Sequence, residues 1–497
     1  ILERLIYLAM GIKKKNMGIN AILNVIRQGL SVLFPLITFP YALRVLGAEG
    51  IGKVTYVGSI ISYFSLIAML GISTYAVREG AKIRDNKQKV TEFFNQVFTI
   101  NIIFTCISYG LLFGITMLSS TLSKYTLLIL IQSFSIISTT LAVDWINTVY
   151  EDFISITIRS IVSHIISLIL LFLLVKNSSD YYIYAALMVL SVGITNIYNF
   201  FYCRRKYIRL KLVKNINILT HIKPMLIMFA NIVTISVYVN FDTTMLGTMK
   251  GDYSVGLYTI AVKIYNIIKN IMAAIYSVTI PRLAQLYGKK EMEKYRKLNT
   301  DIWAYMILLM FPACTGLASV SKEVIYIMGG ESYSEATLAL QILSGSLLFA
   351  VFGGLVTACL NITIGKEKNN LIASIVAAGL NVILNFFFIS KWGQNGAAFT
   401  TLIAEAFVFV YCFVKIENKM EYFYFKKLGE SFFHAILESG LIIIISYYIH
   451  KYITNDIISL FMTIVMSVLS YIVLLIVLKN SYITQILKRN IKRLHIG

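Results

Sequence analysis

The sequence predicts an all-α polytopic membrane protein with about fourteen transmembrane helices. Three observations predict it. The chain has 497 residues, is 58% hydrophobic and has a mean hydropathy of +0.75. Only 14% of its residues are charged, where a soluble protein carries about 25%. Apolar runs of roughly 20 residues recur from end to end, each long enough to cross ~30 Å of hydrocarbon at ~1.5 Å per residue. The ~10-residue alternating strands of a membrane barrel do not occur.

The runs lie near 20–43, 53–75, 93–118, 124–148, 154–175, 181–203, 224–248, 254–279, 298–320, 336–362, 369–390, 395–414, 432–450 and 457–478. The first follows Lys13, Lys14 and Lys15 and continues past Pro35 and Pro40 without a small-residue cleavage site. It is therefore read as a retained helix. Met10 or Met17 is the expected start, with the residues ahead of it taken as upstream translation.

Charge tests the count. With both termini cytoplasmic, 33 of the 45 Lys and Arg fall on inside segments, 8 on outside segments and 4 within spans. A missed or invented span would reverse every later loop under the positive-inside rule. The net charge of +21 is then topology signal lying against anionic membrane lipids, and no nucleic-acid module is read. The longest connections run over 203–223, 280–297, 320–335 and 415–431. None holds a soluble catalytic domain, so no catalytic residue is assigned and the function is placed in the membrane. Cys106, Cys203, Cys314, Cys359 and Cys412 are scattered without CxxC spacing and read as packing residues. The histidines show no HxH or HxxxH spacing, and neither a metal nor a cofactor is expected.

An internal repeat organises the spans. Residues 46–58, LGAEGIGKVTYVG, resemble 249–262, MKGDYSVGLYTIAV, and align Gly52 with Gly256 at an offset of 204. The same offset aligns Arg78 with Arg282, each ending the following span. Six spans separate the copies, so both have the same orientation and the repeat is parallel. Transporters built on such repeats bind substrate between the halves. The expected domains are an N-lobe over 1–215 (spans 1–6), a C-lobe over 216–420 (spans 7–12), and 421–497 with helices 13 and 14 and a basic tail.

Charges inside spans are costly and normally face a bundle interior or an aqueous cavity. Arg27 lies in span 1 beside Asn24 and Gln28; Lys263 and Lys269 lie in span 8. Lys263, Asn266 and Asn270 fall at i, i+3 and i+7, on one helix face. These residues predict a cationic, donor-rich cavity suited to an anionic, hydroxyl-rich substrate such as a pyrophosphate-linked sugar chain. Asp242 in YVNFDTTMLG and Glu405 are the deep acids. Asp242 reads as a charge partner, with Lys263 the expected cation, or as a carboxylate for a coupling H⁺ or Na⁺. The same choice applies to Glu405, which has no evident local partner. Arg159 and Asp144 are expected to pair with each other. Pro35 and Pro40 should kink or loosen span 1; with Arg78 and Arg282 they form the expected gate or hinge.

The stretch NVIRQGLSVLFPLITFPYALRVLGAEGIGKVTYVGSI (24–60), the DWINTVYEDF segment (144–153), FDTTMLG (241–247) and GQNGAAFTTLIAE (393–405) resemble the Wzx-type polysaccharide flippases. That family lies within the multidrug/oligosaccharidyl-lipid/polysaccharide exporter superfamily. The resemblance runs from about residue 17 to 480. It implies a two-lobed inverted-V fold of fourteen helices in a bacterial plasma membrane. It implies transfer of an undecaprenyl-pyrophosphate-linked oligosaccharide from inner to outer leaflet by ion-coupled alternating access, for capsule, O-antigen or another cell-surface polymer. It places the cavity role on Arg27, Lys263 and Lys269 and the acidic role on Asp242 and Glu405, with a polysaccharide polymerase and assembly proteins as further partners. Aromatic and Gln residues often follow the Trp of the family's DW pattern. Here Ile146, Asn147 and Thr148 follow, which weakens any role given to that loop.

Two other readings stand beside this one. A drug or metabolite exporter of similar fold would carry an acidic, aromatic cavity, against which the cations of spans 1 and 8 argue. A membrane polymerase or glycosyltransferase would carry a large outer loop or an acidic metal motif, and the sequence shows neither.

Overall fold

The computed structural model describes residues 17–214 and 217–478, with side chains from Phe34 onward except 219, 231–232 and 234–239. Among the described residues there are helices and turns but no strand, as backbone in hydrocarbon requires. The helices are α1 (Met17–Met69), α2 (Ile72–Ile83), α3 (Lys87–Leu118), α4 (Thr126–Ala142), α5 (Asp144–Val149), α6 (Phe153–Leu174), α7 (Tyr181–Lys206) and α8 (Ile218–Lys250). There follow α9 (Asp252–Ser277), α10 (Ile280–Gly288), α11 (Met292–Ser319), α12 (Ser321–Gly329), α13 (Thr337–Gly354), α14 (Glu367–Val414), α15 (Phe425–Tyr452) and α16 (Asp456–Val477).

Ten stretches among the described residues are long and apolar enough to cross a membrane. Two are double. α1 breaks at Gly47 and α14 at Gly393, the residues in each with non-helical dihedrals. Counting both halves of each and adding α8 and α9 gives the fourteen rods expected from hydropathy. α1 keeps helical dihedrals through Pro35 and Pro40; its break lies at Gly47 instead. Glycine permits this because its φ there is +68°, a region costly to residues with a Cβ.

The chain divides into two compact units, Ile1–Gly256 and Leu257–Gly497. In the first, α2, α3, α5, α7 and α8 converge on a core around Tyr75, Phe94, Trp145, Ile146, Cys203 and Met225. Phe94 meets Trp145 edge-on at 4.7 Å, a preferred aromatic geometry. The repeat shows itself here. Gly47 has φ 68°, ψ 175°, and Gly251, 204 positions on, has φ 84°, ψ −179°. A Cβ at Gly52 would lie 1.8 Å from the Asp252 carbonyl oxygen, and one at Gly256 would lie 1.9 Å from that of Ala48. The offset of 204 maps Ala48 onto Asp252 and Gly52 onto Gly256, so the contact is reciprocal.

In the second unit α11 packs along α13 and α15, with Trp303 against Phe352, Phe423, Phe409 and Phe413. A π-helical turn, Leu355–Asn361, continues α13. The five cysteines are free thiols; four are buried and Cys106 is exposed.

Candidate functional site

Tyr265 and Lys269 stand one turn apart on α9 and therefore share a face. Opposite them, the second half of α14 presents Glu405. Lys269 Nζ lies 2.5 Å from Glu405 Oε1, and the Tyr265 hydroxyl donates to the same oxygen at 2.9 Å. Glu405 is buried, while Lys269 keeps about a third of its side chain accessible (34%). The deep carboxylate is thus neutralised by a cation 136 positions earlier. Lys263, Asn266 and Asn270 occupy another face: six residues separate Lys263 from Lys269, which places them about a third of a turn apart. Lys263 and Asn266 are half-buried and Asn270 is exposed. The span-8 polar set therefore splits into a paired lysine and a separate stripe.

In the first unit Asp242 is 4% exposed. Its charge reaches Tyr63. The same helix, α8, packs on the second half of α1 through hydroxyls. Tyr56 bonds Thr248 at 3.1 Å, Ser59 bonds Thr244 at 2.8 Å and Tyr63 bonds Thr244 at 3.1 Å. Gly247 makes room for the Tyr56 ring, which a Cβ would meet at 2.1 Å. Beside this seam lies a cavity of about 300 Å³ lined by Ser62, Ser65, Gln132, Ser135 and Asn240. Neutral donors and acceptors of this kind match hydroxyl groups rather than charges. Gln132 is fixed by donating to the Val54 carbonyl at 2.9 Å. None of these cavity residues stood out in the sequence, because neutral Ser and Asn are common in membrane helices.

A second cavity, about 430 Å³, lies in the other unit against α11, α15 and α16. Leu308, Pro312, Gly316, Ile442, Ile464 and Tyr471 line it. Its walls are almost wholly apolar, so it suits a hydrocarbon chain.

The remaining expected residues are dispersed. Arg27 falls on α1, but its side chain lies outside the described residues. Arg78 bonds Glu79 at 2.7 Å on α2, and Arg282 donates to Gln285 at 2.8 Å on α10. Both are exposed and both sit on short helices that follow matched spans. The expected Arg159–Asp144 pair is present at 2.5 Å, and Asn199 donates to the same Asp144 oxygen at 3.1 Å. Trp145 and Ile146 are core residues, and Asn147 accepts from Asn199 at 2.8 Å. The DW segment is therefore a folding element joining α5 to α7. Near the end of that segment, Asp152 caps α6 and accepts from Tyr202, Lys206 and Tyr207 at 2.8, 3.0 and 2.7 Å. Burial alone would raise its carboxyl, but the hydrogen bonds from Tyr207, Lys206 and Tyr202 outweigh that and hold it below the usual range.

Fourteen membrane-length rods with glycine-broken pairs define a multi-pass helical transporter fold. Solved structures agree on the fold. The inward closed conformation of the lipid II flippase MurJ matches with a TM-score of 0.73 and 18% identity, over 93% of this chain and all of that one. An inward-facing multidrug resistance MATE family transporter of the MOP superfamily matches with a TM-score of 0.57 and 14% identity, over 77% of this chain and 96% of that one.

The family described as polysaccharide biosynthesis protein matches residues 17–287, and the MatE family matches 224–387. The chain belongs to the polysaccharide biosynthesis protein family and is a membrane transporter rather than an enzyme. A Shigella dysenteriae protein named "Putative O-antigen transporter" is 25% identical over 79% of this chain and 98% of its own length. The Staphylococcus aureus capsular polysaccharide biosynthesis protein CapF is 24% identical over 51% of this chain and 65% of its own.

Proposed function

We propose that this protein is a flippase of the bacterial plasma membrane, with both termini cytoplasmic. It moves an undecaprenyl-pyrophosphate-linked oligosaccharide from the inner to the outer leaflet for capsule, O-antigen or a related surface polymer. The observation that carries this reading is the α9 stripe of Lys263, Asn266 and Asn270, a donor-rich face on a helix of membrane length. A pyrophosphate seeks a cation, sugars seek neutral hydrogen-bonding walls, and a polyprenyl chain seeks an apolar groove. The lysine, the Ser/Gln/Asn cavity and the apolar cavity offer one of each. Names borne by relatives, an O-antigen transporter and a capsular polysaccharide protein, support the same substrate class.

Arg27 and Lys269 join Lys263 in this reading, and Asp242 or Glu405 carries the coupling H⁺ or Na⁺. Pro35, Pro40, Arg78 and Arg282 serve the gate. A polysaccharide polymerase and assembly proteins take up the product, and the basic termini rest on anionic lipids.

The test is complementation of a flippase-deficient strain, with lipid-linked oligosaccharide assayed by leaflet. Wild type is expected to restore outer-leaflet substrate, and Lys263→Ala and Asp242→Asn, shown to be inserted, are expected to lose it. If both variants flip as well as wild type, the charges are structural. The MatE match favours one alternative, a drug or metabolite exporter; dye export without glycan transfer would establish it.

A further inference from the structure

The seam where α12, α15 and α16 meet holds acids that the flippase reading does not use and a row of hydroxyl residues, of which Thr463 and Ser467 also edge the apolar cavity. Glu438, in the middle of α15, is 0% exposed. One carboxyl oxygen accepts from Ser470 of α16 at 2.8 Å, and Oε2 has no hydrogen-bond partner. Glu323 of α12 is 3% exposed, and its Oε2 is also without a partner. Glu323 Oε1 lies 2.8 Å from His450 Nε2, close enough for an ion pair yet off the axis of a good hydrogen bond. His450 Nδ1 is 3.1 Å from the Ser446 hydroxyl.

These groups fall in register. Glu438, Ser446 and His450 lie on one face of α15, at i, i+8 and i+12. Ser459, Thr463, Ser467 and Ser470 lie on one face of α16, at i, i+4, i+8 and i+11. Ser459 and Thr463 are each 1% exposed, and the hydroxyls of Ser459, Thr463 and Ser467 lack partners. The short turn between the helices makes them antiparallel, so Ser459 stands near His450 and Ser470 near Glu438. The line covers roughly 16 Å.

We propose that this seam is a proton-binding site, with Glu438 the acceptor and the Glu323–His450 pair its port to water. By the charge rule the His450 end faces outward. A carboxylate at the depth of Glu438 with one hydroxyl for company is disfavoured strongly over its neutral acid. A hydroxyl both donates and accepts, so a file of them with water between passes a proton along. The proton enters at His450 or Glu323, travels by the α16 hydroxyls and binds Oε2 of Glu438; release reverses the path, and nothing else changes hands.

The titratable groups around the site are few. Tyr471 of α16 interacts with Glu438. On α11, Thr300 meets Tyr424 at the start of α15, so Cys314 lies level with Glu438. Asp301 and Tyr305, which act on each other, lie lower on α11. His434 is one turn before Glu438 on α15 itself. Among the described residues none of these groups is a lysine or an arginine, and Oε2 of Glu438 has no hydrogen-bond partner, so a proton on that oxygen neutralises the acid.

The use of the proton in transport rests on the flippase reading, but its binding does not. The test is infrared difference spectroscopy on the full chain in lipid nanodiscs, stepped between acid and alkaline pH without substrate. A carbonyl band of a protonated acid is expected to appear on acidification in wild type and to be missing from Glu438→Gln. Glu438→Asp is expected to move the band, and His450→Gln to shift its pH midpoint. Identical spectra for wild type and both Glu438 variants overturn the proposal. So does a band that answers to sodium at fixed pH and not to pH. Flipping lost with the band intact overturns only the transport reading.

Discussion

Gly47 and Gly251, 204 positions apart, hold the same backbone conformation within 16° in φ and 6° in ψ. Each ends one membrane rod and starts the next. Just beyond, Gly52 and Gly256 let helix backbone touch helix backbone. Gly52→Ala is expected to destabilise the protein strongly, because its Cβ would sit 1.8 Å from a backbone oxygen that cannot swing away. Gly110→Ala, which meets open space, is expected to be neutral or to raise stability by up to about 1 kcal/mol. Thermal unfolding of the two variants in one detergent checks the contrast; equal melting temperatures would refute the close contact.

Lys269 and Glu405 form a pair whose members are unequal. Lys269→Ala leaves Glu405 buried with only a tyrosine, and breaking such a pair costs about 3–5 kcal/mol. The double variant Lys269→Met/Glu405→Gln is expected to regain much of that loss, since neither charge then remains uncompensated. If the double variant is as stable as wild type but cannot flip substrate, the pair serves transport. If it flips normally, the pair is scaffolding. A double-mutant cycle read by melting temperature, with flipping measured alongside, separates these outcomes.

Much of this was legible in the sequence, and the reason for each gap is physical. Hydropathy gave the rods because lipid demands apolar length. The repeat gave Gly52 and Gly256 in register because only glycine fits a backbone-to-backbone crossing. Arg159 and Asp144 were legible as a pair because both lie at the ends of neighbouring spans. The Lys269–Glu405 pair was not, since helical periodicity says which face a residue occupies but not which helix lies opposite. Glu438 emitted the same signal as Asp242, a lone acid in an apolar run. It lies in a span without a repeat partner, and no motif drew attention to it.

Asp144 and Arg159 also carry unequal burdens. The Arg159 side chain is 7% exposed and that of Asp144 is 47% exposed. Asp144→Asn therefore strands a buried guanidinium, whereas Arg159→Met leaves a carboxylate that water can reach. The first is expected to cost more, by roughly 1–3 kcal/mol. Denaturation of both variants decides it, and a larger loss for Arg159→Met would contradict the burial asymmetry.

Asp152 gives a pH signature outside the spans. Its folded-state carboxyl lies below the ordinary value because Tyr207, Lys206 and Tyr202 bond the ionised form more than burial opposes it. An acid depressed on folding contributes stability that is full above its unfolded pKa, about 3.9. That contribution fades as pH falls through the lowered folded value. The melting temperature of wild type is therefore expected to drop below about pH 4 more steeply than that of Asp152→Asn, which cannot titrate there. Asparagine has one oxygen where Asp152 uses two, Oδ1 to cap α6 and Oδ2 to accept from Tyr207, so it gives up one of these bonds as well as the attraction to Lys206. The variant should thus be less stable near neutral pH and converge on wild type in acid. Parallel curves across the whole range would show that Asp152 is not ionised differently in the folded chain.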